Sequence, residues 1–195
     1  MSDPLHIGLI LSTTRTGRFA DKPAEWLLDI ARRRTDATFE LVDLRDYPMP
    51  FFDEPRSPMM VAPTNEAALR FGKKMAELDG YVFITAEYNH GIPAVLKNAI
   101  DYVYAQLNRK PASFVAYGNA GGARAVEQLR LVLAEMQVAS LKHTVHIGYN
   151  EFVGMLMKGQ TFADFPYLED AAVKLVDDLV WWARTLRAGR SAEPR

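Results

Sequence analysis

The stretch GYVFITAEYNHGIPAVLKNAIDY, residues 80–102, decides the fold. Its YVFITA segment (81–86) is a short apolar run rich in Val, Ile and Phe, the composition of a strand buried on both faces. Pro93 then opens a helical pattern over 93–107 in which Leu96, Ile100, Val103 and Leu107 fall on one face. Between strand and helix stands a charged and polar cluster, Glu87, Tyr88, Asn89 and His90, followed by Gly91. A buried strand that ends this way exposes the cluster at its carboxyl end, where open α/β sheets collect ligands.

The same strand-then-helix grammar runs outward in both directions. HIGLILS (6–12), TFELVDL (38–44), ASFVAYG (112–118) and VASLKHTVHIG (138–148) read as the other strands. Helical patterns cover 20–34 and 65–79, and Leu168, Ala172, Leu175, Leu179, Trp182 and Leu186 mark a final amphipathic helix. Five βα units call for an α/β fold, a parallel sheet with helices on both faces, with function after strands one, three and four. Residues 1–187 are expected to form one domain and 188–195 a disordered tail. The long connection 45–64, with five prolines and several aromatic and Met residues, is too apolar to be simply solvated and is expected to cover a site or a partner.

Composition narrows the classes. A net charge of −1 gives no reason to expect nucleic acid, and no apolar run approaches the roughly 20 residues of a membrane helix. The N-terminal MSDPLHIGLILS enters a strand almost at once, so export is not expected and a cytoplasmic location is. With no cysteine, the chain has no disulfide, thiolate zinc site or thiol redox chemistry, and any redox role requires a bound cofactor. No metal site is expected: His143 and His146, three apart on a strand, face opposite ways. Lys97 and Asp101 are read as a surface pair one helical turn apart.

Three loops carry the candidate chemistry. In STTRTGRF (12–19), Ser12, Thr13, Thr14 and Thr16 surround Arg15, Gly17 and Arg18 just before a helix, whose free N–H groups add to an anion cradle. Neither GxxxxGK[ST] nor GxGxxG is present, so a small terminal phosphate fits better than a nucleoside triphosphate or a dinucleotide, although a plain capping turn reads the same. In the 87–91 loop, Asn89 and Gly91 tolerate unusual backbone angles and can aim peptide groups at a flat heteroaromatic ring. In GNAGG (118–122), side chains that would block a ring lying over the loop are absent. Together the loops describe a mononucleotide stretched across the switch point of a doubly wound sheet.

EYNHGIPAVLKNAIDY and GNAGGARAVEQLR resemble the motifs of the NADPH-dependent FMN reductase family, which includes quinone, azo-dye and chromate reductases. The resemblance spans about residues 5–185 and implies a flavodoxin-like, doubly wound five-stranded parallel sheet of order 2-1-3-4-5. It implies FMN as bound cofactor and NAD(P)H as co-substrate. The FMN phosphate would lie at Ser12, Thr14, Arg15, Gly17, Arg18 and Phe19, and the isoalloxazine against Glu87, Tyr88, Asn89 and His90, with Gly118, Asn119 and Gly121 on its other side. A homodimer or homotetramer is implied as well. Ala86 stands where the family usually has Pro, and STTRTGRF departs from the common G-S-x-R-x-x-S-x-N loop.

The activity expected is hydride transfer from NAD(P)H to FMN and then to a small-molecule electron acceptor such as a quinone, flavin or azo compound, by a ping-pong mechanism. The flavin carries the chemistry, so no protein side chain is assigned as catalytic. A non-enzymatic electron carrier or FMN-binding sensor is the alternative, although the charge of −1 contrasts with the acidity usual in electron carriers.

Overall fold

The computed structural model describes residues 4–192. Among them, five strands, β1 (Leu5–Leu11), β2 (Ala37–Asp43), β3 (Gly80–Ala86), β4 (Pro111–Tyr117) and β5 (Ala139–Ile147), form one sheet in the order β2-β1-β3-β4-β5. Every pairing is parallel, as the expected flavodoxin-like topology requires. β3 and β4 are buried along their whole length, which is why they read as continuous apolar runs without alternation.

Successive side chains of a strand point to opposite faces, and each face meets its own helical layer. Val82, Ile84 and Ala86 pack with α1 (Asp21–Ala31) and α6 (Pro166–Ala192), and with Met155 of α5 (Tyr149–Met157). Tyr81 and Phe83 pack with Phe71 and Met75 of α2 (Glu66–Glu77), Leu96 and Ile100 of α3 (Ala94–Asp101), and Leu129 and Leu133 of α4 (Ala123–Glu135). Each such large side chain removed from water contributes about 2 kcal/mol. The helices begin where local chemistry allows. Asn65 Oδ1 accepts the Ala68 N–H (3.0 Å) to cap α2, and Pro23 sits in the first turn of α1, where its missing N–H costs nothing.

Two expectations need correcting and one α-helix was not foreseen. The helical pattern over 93–107 is helix only as far as Asp101, because Gln106 Oε1 takes the Tyr104 N–H (3.0 Å) and the chain continues in tighter turns such as Val103 N–H to Ile100 O (3.1 Å). Val103 and Leu107 are nonetheless buried, as their spacing predicts. The tail expected to be disordered is helical through Ala192, since Arg190 Nη2 and Arg187 Nη1 bind the Asp79 carboxylate at 2.9 and 3.1 Å. The last three residues of that tail, 193–195, and the first three of the chain lie outside the described residues. The additional element is α5, which follows β5 and brings Phe152 to the carboxyl edge of the sheet.

The 45–64 connection is tied down at its start. Asn98 of α3 donates to Pro50 O (2.7 Å) and accepts from Phe52 N–H (2.8 Å), and the Phe52 ring meets Tyr102 edge-on at 5.1 Å. Beyond those ties Phe51, Met59, Met60 and Val61 remain exposed.

Candidate functional site

The loops after β1, β3 and β4 converge on one cleft of about 390 Å³, a volume within the range of small-molecule sites. Arg15 from the first loop, Glu87 to His90 from the second, and Gly118 and Asn119 from the third line it. Tyr117, Arg124 and Phe152 line it too.

The first loop separates into exposed residues, of which Arg15 lines the cleft, and residues that hold the loop in shape. Thr14, Arg15, Thr16 and Gly17 are exposed, and among the described residues the N–H groups of Thr14, Thr16 and Gly17 have no hydrogen-bond partner. Gly17 has φ +64°, and a Cβ there would meet nothing, so it serves the turn conformation alone. Arg18 and Ser12 behave otherwise than expected. Arg18 is buried, and its five N–H groups are all used: Nε and Nη2 on Asp21, Nη1 on Thr13 O (2.7 Å) and Asp43 (2.7 Å), and Nη2 again on Asp43. A guanidinium so occupied has no donor left for a phosphate. Its hydrogen bond to Asp43 is the main reason its own pKa is raised. Burial works to raise the Asp43 carboxyl, but the hydrogen bonds from Arg18 and the Arg45 N–H prevail and hold it below the usual carboxylate range. Ser12 is fully buried and its hydroxyl donates to Ile10 O (3.1 Å). Phe19 also turns inward, edge-on to Tyr117 (5.0 Å) and Phe152 (4.9 Å), so its ring forms the wall behind the cradle. Arg45, at the end of β2, braces the loop by donating to Arg15 O (2.6 Å).

The second loop is a two-residue reversal. Tyr88 N–H donates to Gly91 O (3.0 Å) and Gly91 N–H to Tyr88 O (3.1 Å), with Asn89 and His90 both left-handed, at φ +48° and +73°. Glu87 points back toward α4, where its carboxylate accepts the Arg124 N–H (3.1 Å) and pairs with the Arg124 guanidinium. The carboxylate thereby caps a helix that offers no side-chain cap of its own. Tyr88 reaches the first loop through a 3.0 Å hydroxyl contact with Thr13.

The third loop needs its glycines. Gly118 lies at φ +152°, with Glu87 Cβ only 3.1 Å from where a Cβ would stand. Gly122 is the tightest position: a Cβ there would come within 2.6 Å of Ala116 Cβ and 2.8 Å of the Tyr117 nitrogen. Gly121 is buried, and its carbonyl is bonded to His146 Nδ1 (2.8 Å), which gives that histidine a structural task. Among the described residues no cluster of His, Cys, Asp or Glu is placed to hold a metal.

Tyr117, the last residue of β4, was missed by sequence reasoning. It is 4% exposed and lines the cleft, and among the described residues its hydroxyl makes no well-formed hydrogen bond, with Tyr88 its neighbour. A buried unpaired hydroxyl costs about 1–3 kcal/mol, which a ligand oxygen at that point would recover. Burial is also the main reason the Tyr117 phenol is pushed up, so it remains a donor. Its position at the end of a strand pointing into a Gly-rich loop was the one available signal. Phe152 had none, because it is placed by tertiary packing, and Arg124 stood out only as an arginine beside the Gly-rich loop that could meet a 2′-phosphate.

A parallel 2-1-3-4-5 sheet with an anion cradle and a ring-sized cleft at its carboxyl edge defines a flavodoxin-like mononucleotide binder. The family model described as NADPH-dependent FMN reductase matches residues 5–151. An NAD(P)H-dependent FMN reductase of Schizosaccharomyces pombe is 39% identical over 135 residues, covering 67% of this chain and 68% of the relative. The NAD(P)H-dependent FMN reductase LOT6 of Saccharomyces cerevisiae is 31% identical over 140 residues, covering 66% and 73%. Among solved structures, the NAD(P)H:(acceptor) oxidoreductase FerB of Paracoccus denitrificans superposes with a TM-score of 0.67 over 93% of this chain and 98% of its own, a likeness of fold at 22% identity. The chain belongs to the NADPH-dependent FMN reductase family. It is an oxidoreductase with FMN as its flavin and NAD(P)H as co-substrate.

The residues present fit that flavin. The open N–H groups of the first loop suit a dianion, Arg15 adds a positive charge at the cleft, and Tyr117, whose hydroxyl makes no well-formed hydrogen bond among the described residues, lines it. No helix among the described residues is long and apolar enough to cross a membrane.

Proposed function

We propose that this cleft binds FMN across the three loops and that the protein passes electrons from NAD(P)H to a small oxidant, a quinone, flavin or azo compound, by a ping-pong mechanism. The observation that carries this reading is the convergence of all three loops on one cleft that is also lined by Tyr117, whose hydroxyl makes no well-formed hydrogen bond among the described residues. When bound, FMN supplies the acceptance and donation of hydride. The chain's own residues bind and orient. In this reading Thr14 and Gly17 offer the phosphate their backbone N–H groups and Arg15 its charge, with Ser12, Arg18 and Phe19 acting indirectly by shaping the loop. Tyr117 would offer its hydroxyl to the bound cofactor as a hydrogen-bond donor. Glu87, Tyr88, Asn89 and His90 would hold the ring from one side and Gly118 and Asn119 from the other, with Gly121, buried against His146, shaping that loop. No side chain is assigned a proton-transfer role.

A homodimer or homotetramer belongs to the same reading and is supported by the exposed Phe51 and Met60 of the 45–64 connection, 80% and 72% accessible in the monomer. A cytoplasmic location rests on the composition alone. The mechanism is tested by steady-state rates with NADPH and a benzoquinone varied together. Parallel double-reciprocal lines are expected, and intersecting lines would overturn the ping-pong order.

A further inference from the structure

The 87–92 segment turns through a backbone that its own bonds hold only in part. Two consecutive non-glycine residues, Asn89 and His90, are left-handed, a conformation uncommon for L-residues, although Asn and His enter it more often than most. Within the segment only the two Tyr88–Gly91 backbone bonds oppose that cost. The remaining ties come chiefly from α4, and from two residues of it. Arg124 gives its backbone N–H to Glu87 (3.1 Å), its guanidinium to the same carboxylate, and Nη1 to His90 Nδ1 at 3.0 Å. Gln128, one helical turn on, accepts the Ile92 N–H at 2.8 Å. Thus the carboxylate before the turn, the ring at its tip and the amide after it are all held by α4.

The bond to His90 also settles a chemical question. A guanidinium has donors only, so His90 Nδ1 must accept and its proton resides on Nε2. Among the described residues Nε2–H has no hydrogen-bond partner, and His90 lines the cleft.

We propose that Arg124 and Gln128 are positioning residues that hold the 87–92 turn in its left-handed form and fix His90 as the Nε2–H tautomer, so that the turn offers the cleft an N–H donor suited to a carbonyl or anionic oxygen. The ligand half of this inference rests on the flavin reading, where such oxygens belong to the ring or to a quinone-type acceptor. The clamp itself does not.

The test therefore uses the apoprotein. Long-range ¹H–¹⁵N spectra of the histidine rings should show His90 as the Nε2–H tautomer at neutral pH in the wild type, and a tautomer mixture in Arg124→Gln. Amide exchange at Gly91 and Ile92 should accelerate by roughly tenfold or more in Arg124→Gln, and by a few-fold at Ile92 in Gln128→Ala. Arg124→Lys, which can satisfy Glu87 or His90 but not both, should fall between. In FMN titrations by fluorescence, the same variants should bind roughly tenfold and a few-fold more weakly. A His90 Nδ1–H tautomer in the wild type, or unchanged exchange in both variants, overturns the clamp. Should Arg124→Gln fail to fold, the wild-type tautomer and the exposed Gln128→Ala still decide. Failure of the wild type to bind FMN would overturn the flavin reading alone, because the apoprotein readouts stand apart from it.

Discussion

Tyr117 and Arg18 show how single residues divide the work of the cleft. Among the described residues the Tyr117 hydroxyl makes no well-formed hydrogen bond, so in the proposed reading removing it relieves the apoprotein and deprives the ligand. Tyr117→Phe is expected to stabilise the apoprotein by about 1 kcal/mol in urea denaturation and to weaken FMN binding by roughly tenfold. A variant that loses stability, or binds FMN as before, contradicts that role. Arg18 has the reverse profile. Its guanidinium joins Asp21, Asp43 and the Thr13 carbonyl from a side chain only 2% exposed, and removing it empties that buried site and leaves the half-buried Asp43 without its main partner. Arg18→Met should cost about 3 kcal/mol of stability by the same measurement and weaken FMN binding as a consequence of the disordered loop. An unchanged denaturation midpoint with weaker FMN binding would show instead that Arg18 meets the phosphate directly. The sequence placed Arg18 in the right loop but not its direction, because its partner Asp43 is 25 residues distant and arrives only when β2 pairs with β1. The Lys97–Asp101 pair, local to one helix, was legible and is present at 2.7 Å.

At the scale of elements, what was readable was what depends on neighbours in sequence. All five strands and the helices between them follow from apolar runs and the 3.6-residue period, and the 87–91 and 118–122 loops from their Gly and Asn content. α5 escaped because YNEFVGMLM is apolar on most sides, with Met157 and Tyr149 exposed and Phe152 turned to the cleft, so no clean stripe marks it. The end of α6 escaped for another reason. AGRSAEPR is weakly helical in isolation, and its first residues are helical because Arg187 and Arg190 reach Asp79, which also accepts the His6 N–H (3.2 Å). Ending the chain at Leu186 removes both arginines from a carboxylate that is 14% exposed. The loss should be about 2 kcal/mol, between the values for exposed and for buried pairs. Because Asp79 precedes β3 while the cleft follows it, FMN affinity should be unaltered in the truncated protein; a parallel loss of affinity would contradict this separation.

Across the whole molecule the sheet separates a structural edge from a functional one. At the amino edge, Lys110 is buried and donates to Met75 O (2.8 Å) and Ala76 O (2.9 Å) at the end of α2. Burial chiefly, with Arg190 nearby, pulls its pKa down to about 8 against the opposing influence of Asp79. An unfolded lysine keeps its proton to about 10.4, so between pH ~8 and ~10 the unfolded chain binds more protons and stability must rise with pH. The rise should approach 1 kcal/mol per pH unit, seen as urea midpoints, and Lys110→Met should flatten it. Equal slopes in both proteins would contradict a depressed Lys110. Above pH ~10 the gain ends, because buried Tyr81, whose phenol is raised mainly by burial, ionises later in the folded chain than in the unfolded one.

At the carboxyl edge, Arg15 of the first loop, Tyr117 and the 87–90 residues line one cleft, and the central claim is that this cleft runs flavin chemistry. The most direct test is an anaerobic visible spectrum of the FMN-reconstituted protein before and after NADPH. The account predicts stoichiometric FMN binding and rapid loss of the oxidised-flavin absorbance; FMN bound but unreduced by either NADPH or NADH would contradict it.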